Sequence, residues 1–126
     1  MTLSGELGAG KTTLVRGMLR HLGWTGPVKS PSYALVEHYP LSSLYFYHFD
    51  FYRFNDSSEW DATGFAELFH PAAIAVIEWP ERIAGRLPTV DLAARLWHVE
   101  PGRALDLRAG TAAGRACLDA FCATVD

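Results

Sequence analysis

Near the start of the chain, the run Gly5-Glu6-Leu7-Gly8-Ala9-Gly10-Lys11-Thr12 has the glycine, lysine and hydroxyl separations of a phosphate-binding loop. Glycines at these positions take backbone angles closed to other residues and turn successive N–H groups inward on a phosphate chain. Lys11 adds a point charge for the β- and γ-phosphates, and the Thr12 hydroxyl fits one position in the octahedral shell of Mg²⁺. Thr13 stands where it reaches the α-phosphate. A helix opening at this point offers free N–H groups and a dipole that favours the anion.

Phosphoryl chemistry also needs a carboxylate beside the metal, and two acids qualify. Asp50 closes the aromatic run Leu44-Tyr45-Phe46-Tyr47-His48-Phe49, a Walker-B arrangement. Glu78 closes the apolar run Ala72-Ala73-Ile74-Ala75-Val76-Ile77. The carboxyl ends of buried parallel strands line the ligand crevice of open α/β sheets, so either acid suits the metal or the attacking water, and spacing does not choose between them. His48 and Tyr52 share the strand face of Asp50. His48 is read as a packed core imidazole, and Arg53 as a structural partner of Asp50 or of a strand-end carbonyl before a catalytic arginine.

The elements that must hold these residues follow from periodicity. Thr2-Leu3-Ser4 is a strand end, and Leu14, Met18, Leu19 and Leu22 recur at helical spacing up to a cap at Gly23. Trp24 to Tyr33 is rich in Gly, Pro and Ser and reads either as a plain surface connection or as a γ-phosphate-sensing segment, which commonly lies just after the first helix. Tyr33–Tyr39 and Leu44–Tyr52 read as a hairpin of two strands. Ser57–His70 reads as a helix capped by Ser57 or Ser58 and weakened by Gly64. Ala72–Ile77 has the continuous apolar character of a strand covered on both faces. Glu81–Leu87 is a short helix or turn. Val90–Glu100 and Ala104–Arg108 are strands joined at Pro101-Gly102-Arg103, with Gly102 suited to a positive φ. Thr111–Ala123 is a closing helix packed through Ala112, Ala116, Leu118 and Phe121.

The pattern predicts a single α/β domain over residues 1–126 with a mainly parallel sheet, helices against it and a late antiparallel element. With 49% hydrophobic and 20% charged residues the chain is globular, and a net charge of −3 without a basic cluster argues against gripping nucleic acid directly. Cys117 and Cys122 lack metal-type spacing and read as reduced, buried thiols. No apolar run approaches membrane-spanning length and no signal peptide precedes the loop, so a cytoplasmic protein is expected.

Four segments together resemble one family. The loop Gly5 to Thr13, Lys29-Ser30-Pro31-Ser32-Tyr33 with Leu35-Val36-Glu37, His48-Phe49-Asp50-Phe51-Tyr52-Arg53, and Ile77-Glu78-Trp79-Pro80-Glu81 occur in the order seen in TsaE, the bacterial ATPase component of tRNA threonylcarbamoyladenosine synthesis. The resemblance implies a P-loop ATPase using ATP and Mg²⁺ in support of TsaB and TsaD, with tRNA reached only through that complex. It assigns the phosphates to Gly8, Ala9, Gly10, Lys11, Thr12 and Thr13, the magnesium to Thr12 and Glu78, the Walker-B-like role to Asp50, and a position near the base to Gly102. Family members carry a longer segment before the loop, so this chain is expected to be short at its N-terminus. A small-molecule kinase and a nucleotide-dependent docking module, the latter using Trp24, Trp60 and Trp79, are the alternative functions.

Overall fold

The computed structural model describes residues 1–124. Six strands form one sheet: β1 (Thr2–Ser4), β2 (Val36–Pro40), β3 (Tyr45–Asp50), β4 (Ala73–Glu78), β5 (Leu92–Val99) and β6 (Gly102–Ala109). Their order is β2-β3-β4-β1-β5-β6. The central strands β3, β4, β1 and β5 run parallel, while β2 and β6 pair antiparallel at the two edges. This is the α/β P-loop fold expected from the sequence. The antiparallel edges follow from short connections, since a tight turn can join only antiparallel neighbours.

Strand periodicity sorts the side chains into two cores. Phe46 of β3, Val76 of β4, Leu3 of β1 and Ala94 of β5 pack with Val15 and Leu19 of helix α1 (Lys11–His21). Tyr47, Phe49 and Phe51 project to the opposite face and pack with Trp60, Ile77 and Ile83. Because His48 and Asp50 alternate with Phe49, they fall on the α1 face, as does Glu78 next to Ile77. The same period that builds the core therefore carries both acids beneath the start of α1.

Helix α1 ends as its sequence implies. Gly23 takes φ 101°, Trp24 N–H donates to Leu19 O at 2.9 Å and Gly23 N–H to Arg20 O at 3.2 Å, the paired bonds of a Schellman cap.

Four local expectations change. The strand expected from Tyr33 begins at Val36, because Leu35 adopts φ 67° and leaves Tyr33 in the preceding turn. The helix expected over Ser57–His70 is two 3₁₀ segments, Ser57–Ala62 and Phe65–Leu68, separated at Gly64 with φ 72°. Its cap is Asp56, whose Oδ1 accepts from Ser58 N–H at 2.8 Å while Glu59 Oε2 accepts from Asp56 N–H at 3.0 Å. Helix α2 (Ala112–Thr124) has Gly114 as its buried residue and Leu118 half-buried. Ala112, Ala116, Phe121 and both cysteines are exposed, contrary to the packing expected of them. No helix among the described residues is long and apolar enough to cross a membrane.

Candidate functional site

The loop after β1 rises between β4 and β5 and turns into α1. Gly10 caps α1 with φ 104° and no side-chain bond to the helix end. Leu14 N–H finds Gly10 O at 3.0 Å, whereas the N–H groups of Lys11, Thr12 and Thr13 have no acceptor among the described residues. Three free donors in one turn, at the positive end of an eleven-residue helix, make a ready anion cradle. Gly5 is required by contact, since a Cβ there would stand 2.5 Å from Leu96 O.

Above the carboxyl ends of the parallel strands lies an open cleft of about 860 Å³. It is lined by loop and helix residues Glu6 to Gly8 and Gly10 to Thr13, by Ser30, Ser32 and Tyr33, by Asp50, Tyr52 and Arg53, and by Glu78, Trp79 and Arg103. Ala9 lies buried within the loop, its carbonyl accepting from Arg103 Nε at 3.0 Å. The expected residues therefore converge, apart from Gly102. That glycine opens β6 without a positive φ and is absent from the cleft wall, where its neighbour Arg103 stands instead.

Asp50 and Glu78 are register partners at the ends of adjacent strands β3 and β4. Their surroundings separate them. Burial pushes the Asp50 carboxyl above its ordinary value, a tendency that the Tyr52 N–H, donated to Oδ1 at 2.9 Å, offsets only in part. Burial also pushes Glu78 upward, but hydrogen bonding and charge from His48 and Lys11 outweigh it and leave Glu78 below the ordinary range. Glu78 Oε1 lies 3.3 Å from Lys11 Nζ, and Oε2 lies 2.6 Å from Nε2 of fully buried His48. His48 is thus a core residue, as read from sequence, and also the support of a site acid.

Lys11 donates additionally to Gly5 O, which folds its ammonium back across the loop. Trp79 takes φ 57° and sets its ring 5.7 Å from that ammonium. A non-glycine residue in this region is uncommon, and such positions concentrate at functional sites.

Sequence reasoning misplaced three residues. Arg53 does not pair with Asp50; its guanidinium stacks 4.2 Å from the centre of the Tyr33 ring. Trp60 is buried in the core below β3, so it is no surface aromatic. Arg103 went unnoticed because its reach to Ala9 and Gly8 spans most of the chain; the only local signal was its place after the Pro101-Gly102 turn.

The donor chemistry of the cleft fits a magnesium nucleotide. The Thr12 hydroxyl, the Asp50 and Glu78 carboxylates and free backbone N–H groups face it together, and among the described residues no three His, Cys, Asp or Glu side chains form a metal cage. Mg²⁺ is usually held in this way, by one or two protein oxygens together with phosphate and water.

Known proteins resemble the chain in sequence and in fold. The family model described as Threonylcarbamoyl adenosine biosynthesis protein TsaE matches residues 1–108. The chain is 43% identical over 119 residues to the tRNA threonylcarbamoyladenosine biosynthesis protein TsaE of Haemophilus influenzae, covering 94% of this chain and 75% of that relative. It is 41% identical over 88 residues to the protein of the same name from Bacillus subtilis, covering 70% of this chain and 54% of the relative, so it spans about half of that length. The crystal structure of Bacillus subtilus YdiB superposes with a TM-score of 0.79 at 28% identity, covering 97% of this chain and 75% of that one.

Proposed function

This chain belongs to the TsaE family of tRNA threonylcarbamoyladenosine biosynthesis proteins, and from that membership we propose that it binds ATP with Mg²⁺ in the β1–α1 cleft and hydrolyses it in support of TsaB and TsaD. The observation that carries the reading is the convergence of the free Lys11, Thr12 and Thr13 N–H groups with Asp50 and Glu78 on one cleft. In this reading the loop from Gly8 to Thr13 cradles the phosphates, and the Lys11 ammonium exchanges Gly5 O and Glu78 for phosphate oxygens. Thr12 and ionised Glu78 would hold Mg²⁺, which would supply charge to offset that of the β- and γ-phosphates. Asp50, whose carboxyl is held above its ordinary value by burial, orients the attacking water from the neighbouring strand end. Arg103 fixes the loop by its bonds to Ala9 and Gly8 while facing the same cleft. The protein works in the cytoplasm and meets tRNA only through its partners.

The test is calorimetric titration of the chain with ATP and ADP in the presence of Mg²⁺, together with phosphate release measured with and without TsaB and TsaD. Expected are nucleotide binding, slow hydrolysis that rises with the partners, and loss of both in Lys11→Ala. Absence of binding by a folded parent protein refutes the proposal.

A second reading is favoured by the rim of the cleft, where Leu7, Tyr33 and Tyr52 are 100%, 82% and 57% exposed. Apolar and aromatic groups around a nucleotide site suit docking of a partner in the ATP state. Partner binding that needs ATP but persists when hydrolysis is blocked favours this role for the cleft.

A further inference from the structure

Two arginines line the cleft, and they are held very differently. Arg103 is fastened, with Nε on Ala9 O at 3.0 Å and a terminal nitrogen 2.6 Å from His98 Nδ1. Arg53 is exposed, and among the described residues its guanidinium has no hydrogen-bond or ion-pair partner. Its contact is the face of Tyr33, at 4.2 Å from the ring centre. An exposed cation–π contact of this kind is a weak hold, about 2- to 5-fold in population.

Position gives the pair its meaning. Arg53 follows Asp50 by three residues, on the loop leaving the strand that carries a site acid, while Tyr33 follows Ser30 and Ser32 in the segment across the cleft mouth. The contact therefore joins two loops that both face the place where the phosphates would lie. A guanidinium is permanently charged and presents a planar fork of donors, matched to phosphate oxygens.

We propose that Arg53 is a catalytic arginine supplied from within this chain, stored on Tyr33 in the free protein and transferred to the γ-phosphate oxygens during hydrolysis. The inference rests on the ATPase reading above. In the step it assists, a water oxygen bonds to the γ-phosphorus and the bond from that phosphorus to the β–γ bridging oxygen breaks. The electron pair leaves with ADP, and the water proton passes to the released phosphate. Arg53 changes no bond; it balances charge spread over the transferring oxygens. Storage on Tyr33 ties delivery of that charge to the arrangement of the Ser30 to Tyr33 segment on the opposite side of the cleft. Lys11 cannot substitute, because it serves the loop side of the phosphates.

The test compares parent, Arg53→Ala and Arg53→Lys in single-turnover hydrolysis, in affinity for Mg²⁺-ADP, and in affinity for Mg²⁺-ADP with aluminium fluoride, a mimic of the transferring phosphoryl group. Expected for Arg53→Ala is a loss of about 100-fold or more in the hydrolysis rate and a parallel loss for the fluoride complex, with ADP affinity changed less than about 3-fold. Arg53→Lys restores little, since the fork is missing. Equal fluoride-complex affinity in parent and Arg53→Ala overturns the assignment, as does an equal loss for ADP alone, which marks a general binding role. A parent protein that binds no nucleotide instead overturns the underlying ATPase reading, and this inference falls with it. Tyr33→Leu tests storage: freeing Arg53 raises fluoride-complex affinity by about 2- to 5-fold while Tyr33→Phe stays at the parental value. No rise in Tyr33→Leu overturns the storage role.

Discussion

The Glu78 carboxylate meets the His48 imidazole at 2.6 Å in a place where His48 has no solvent exposure at all. Glu78 is thereby pinned from the core side, leaving its other oxygen for Lys11. The pairing explains how a glutamate that is 4% exposed stays ionised: a buried carboxylate without such partners would be driven to protonate. His48 Nδ1 is buried and has no hydrogen-bond partner among the described residues, so the imidazole itself is held by one strong bond and by packing.

Removing that support has a predictable cost. His48→Ala strips a buried acceptor of its donor and leaves a cavity, which together destabilise by about 3 kcal/mol. Urea unfolding should show a lower midpoint with an unchanged slope. His48→Gln, which keeps a side-chain N–H for Glu78, should recover part of the loss. Equal destabilisation by both substitutions would mean that packing alone explains His48.

The two acids should respond to pH with opposite sign. The folded-state pKa of Glu78 lies below its unfolded value, so its ionisation contributes stability above the ordinary carboxylate range, and that contribution disappears as pH falls through the folded value. Glu78→Gln is therefore less stable than the parent at pH 7 and converges with it below about pH 4. Asp50 is raised, so its protonated form is the one favoured by folding, and that advantage is lost as pH rises through the folded value. Asp50→Asn should be the more stable protein at pH 7, with the gap closing toward acid. Melting temperatures of the three proteins from about pH 2 to pH 8 decide it; parallel curves across that whole range contradict both assignments.

The thiols of α2 give a third prediction. Cys117 and Cys122 are free and exposed, five positions apart on a helix whose outer surface is largely alanine. Both should react with an aromatic disulfide reagent in the native protein at nearly the rate seen in denaturant. Protection by more than about 100-fold would restore the buried placement read from the sequence.

Much of the site was legible because its signals are local. The spacing from Gly5 to Thr12 defines a loop without reference to anything distant, and an acid closing an apolar strand marks Asp50 and Glu78 individually. The face that Asp50 shares with His48 was also recoverable, since a period of two fixes which side chains alternate within one strand. What could not be read were relations across the sheet. The Glu78–His48 bond spans two strands whose register sequence does not print, and the Arg103 contact joins the ends of the chain. Leu35 was read as a strand residue from the period-two alternation of Tyr33 to Tyr39; its positive φ goes with a local bond, Leu35 N–H to Pro31 O at 3.0 Å, and a distant one, Asp50 N–H to Leu35 O at 2.9 Å, that periodicity does not show. The closing helix failed differently: its alanines have helical spacing, but spacing does not say that a surface lies opposite to bury them.

How α2 is attached provides the last prediction. Thr111 caps it, accepting from Gly114 N–H at 3.1 Å and donating to Asp91 Oδ1 at 2.6 Å. Gly114 then presses directly on the start of β5, where an added Cβ would stand 1.6 Å from Asp91 O. Backbone cannot yield as a flexible side chain does, so Gly114→Ala must displace the helix. In α1 the same exchange at Gly17 meets nothing within 4 Å. Gly17→Ala should stabilise the protein by about 0.5–1 kcal/mol through helix propensity and a more restricted unfolded chain. Gly114→Ala gains the same propensity yet should destabilise by about 1–3 kcal/mol from overpacking. Amide exchange should locate the damage, with protection lost across residues 112–124 and retained in α1 and the central strands. If both substitutions stabilise, α2 is not anchored at Gly114.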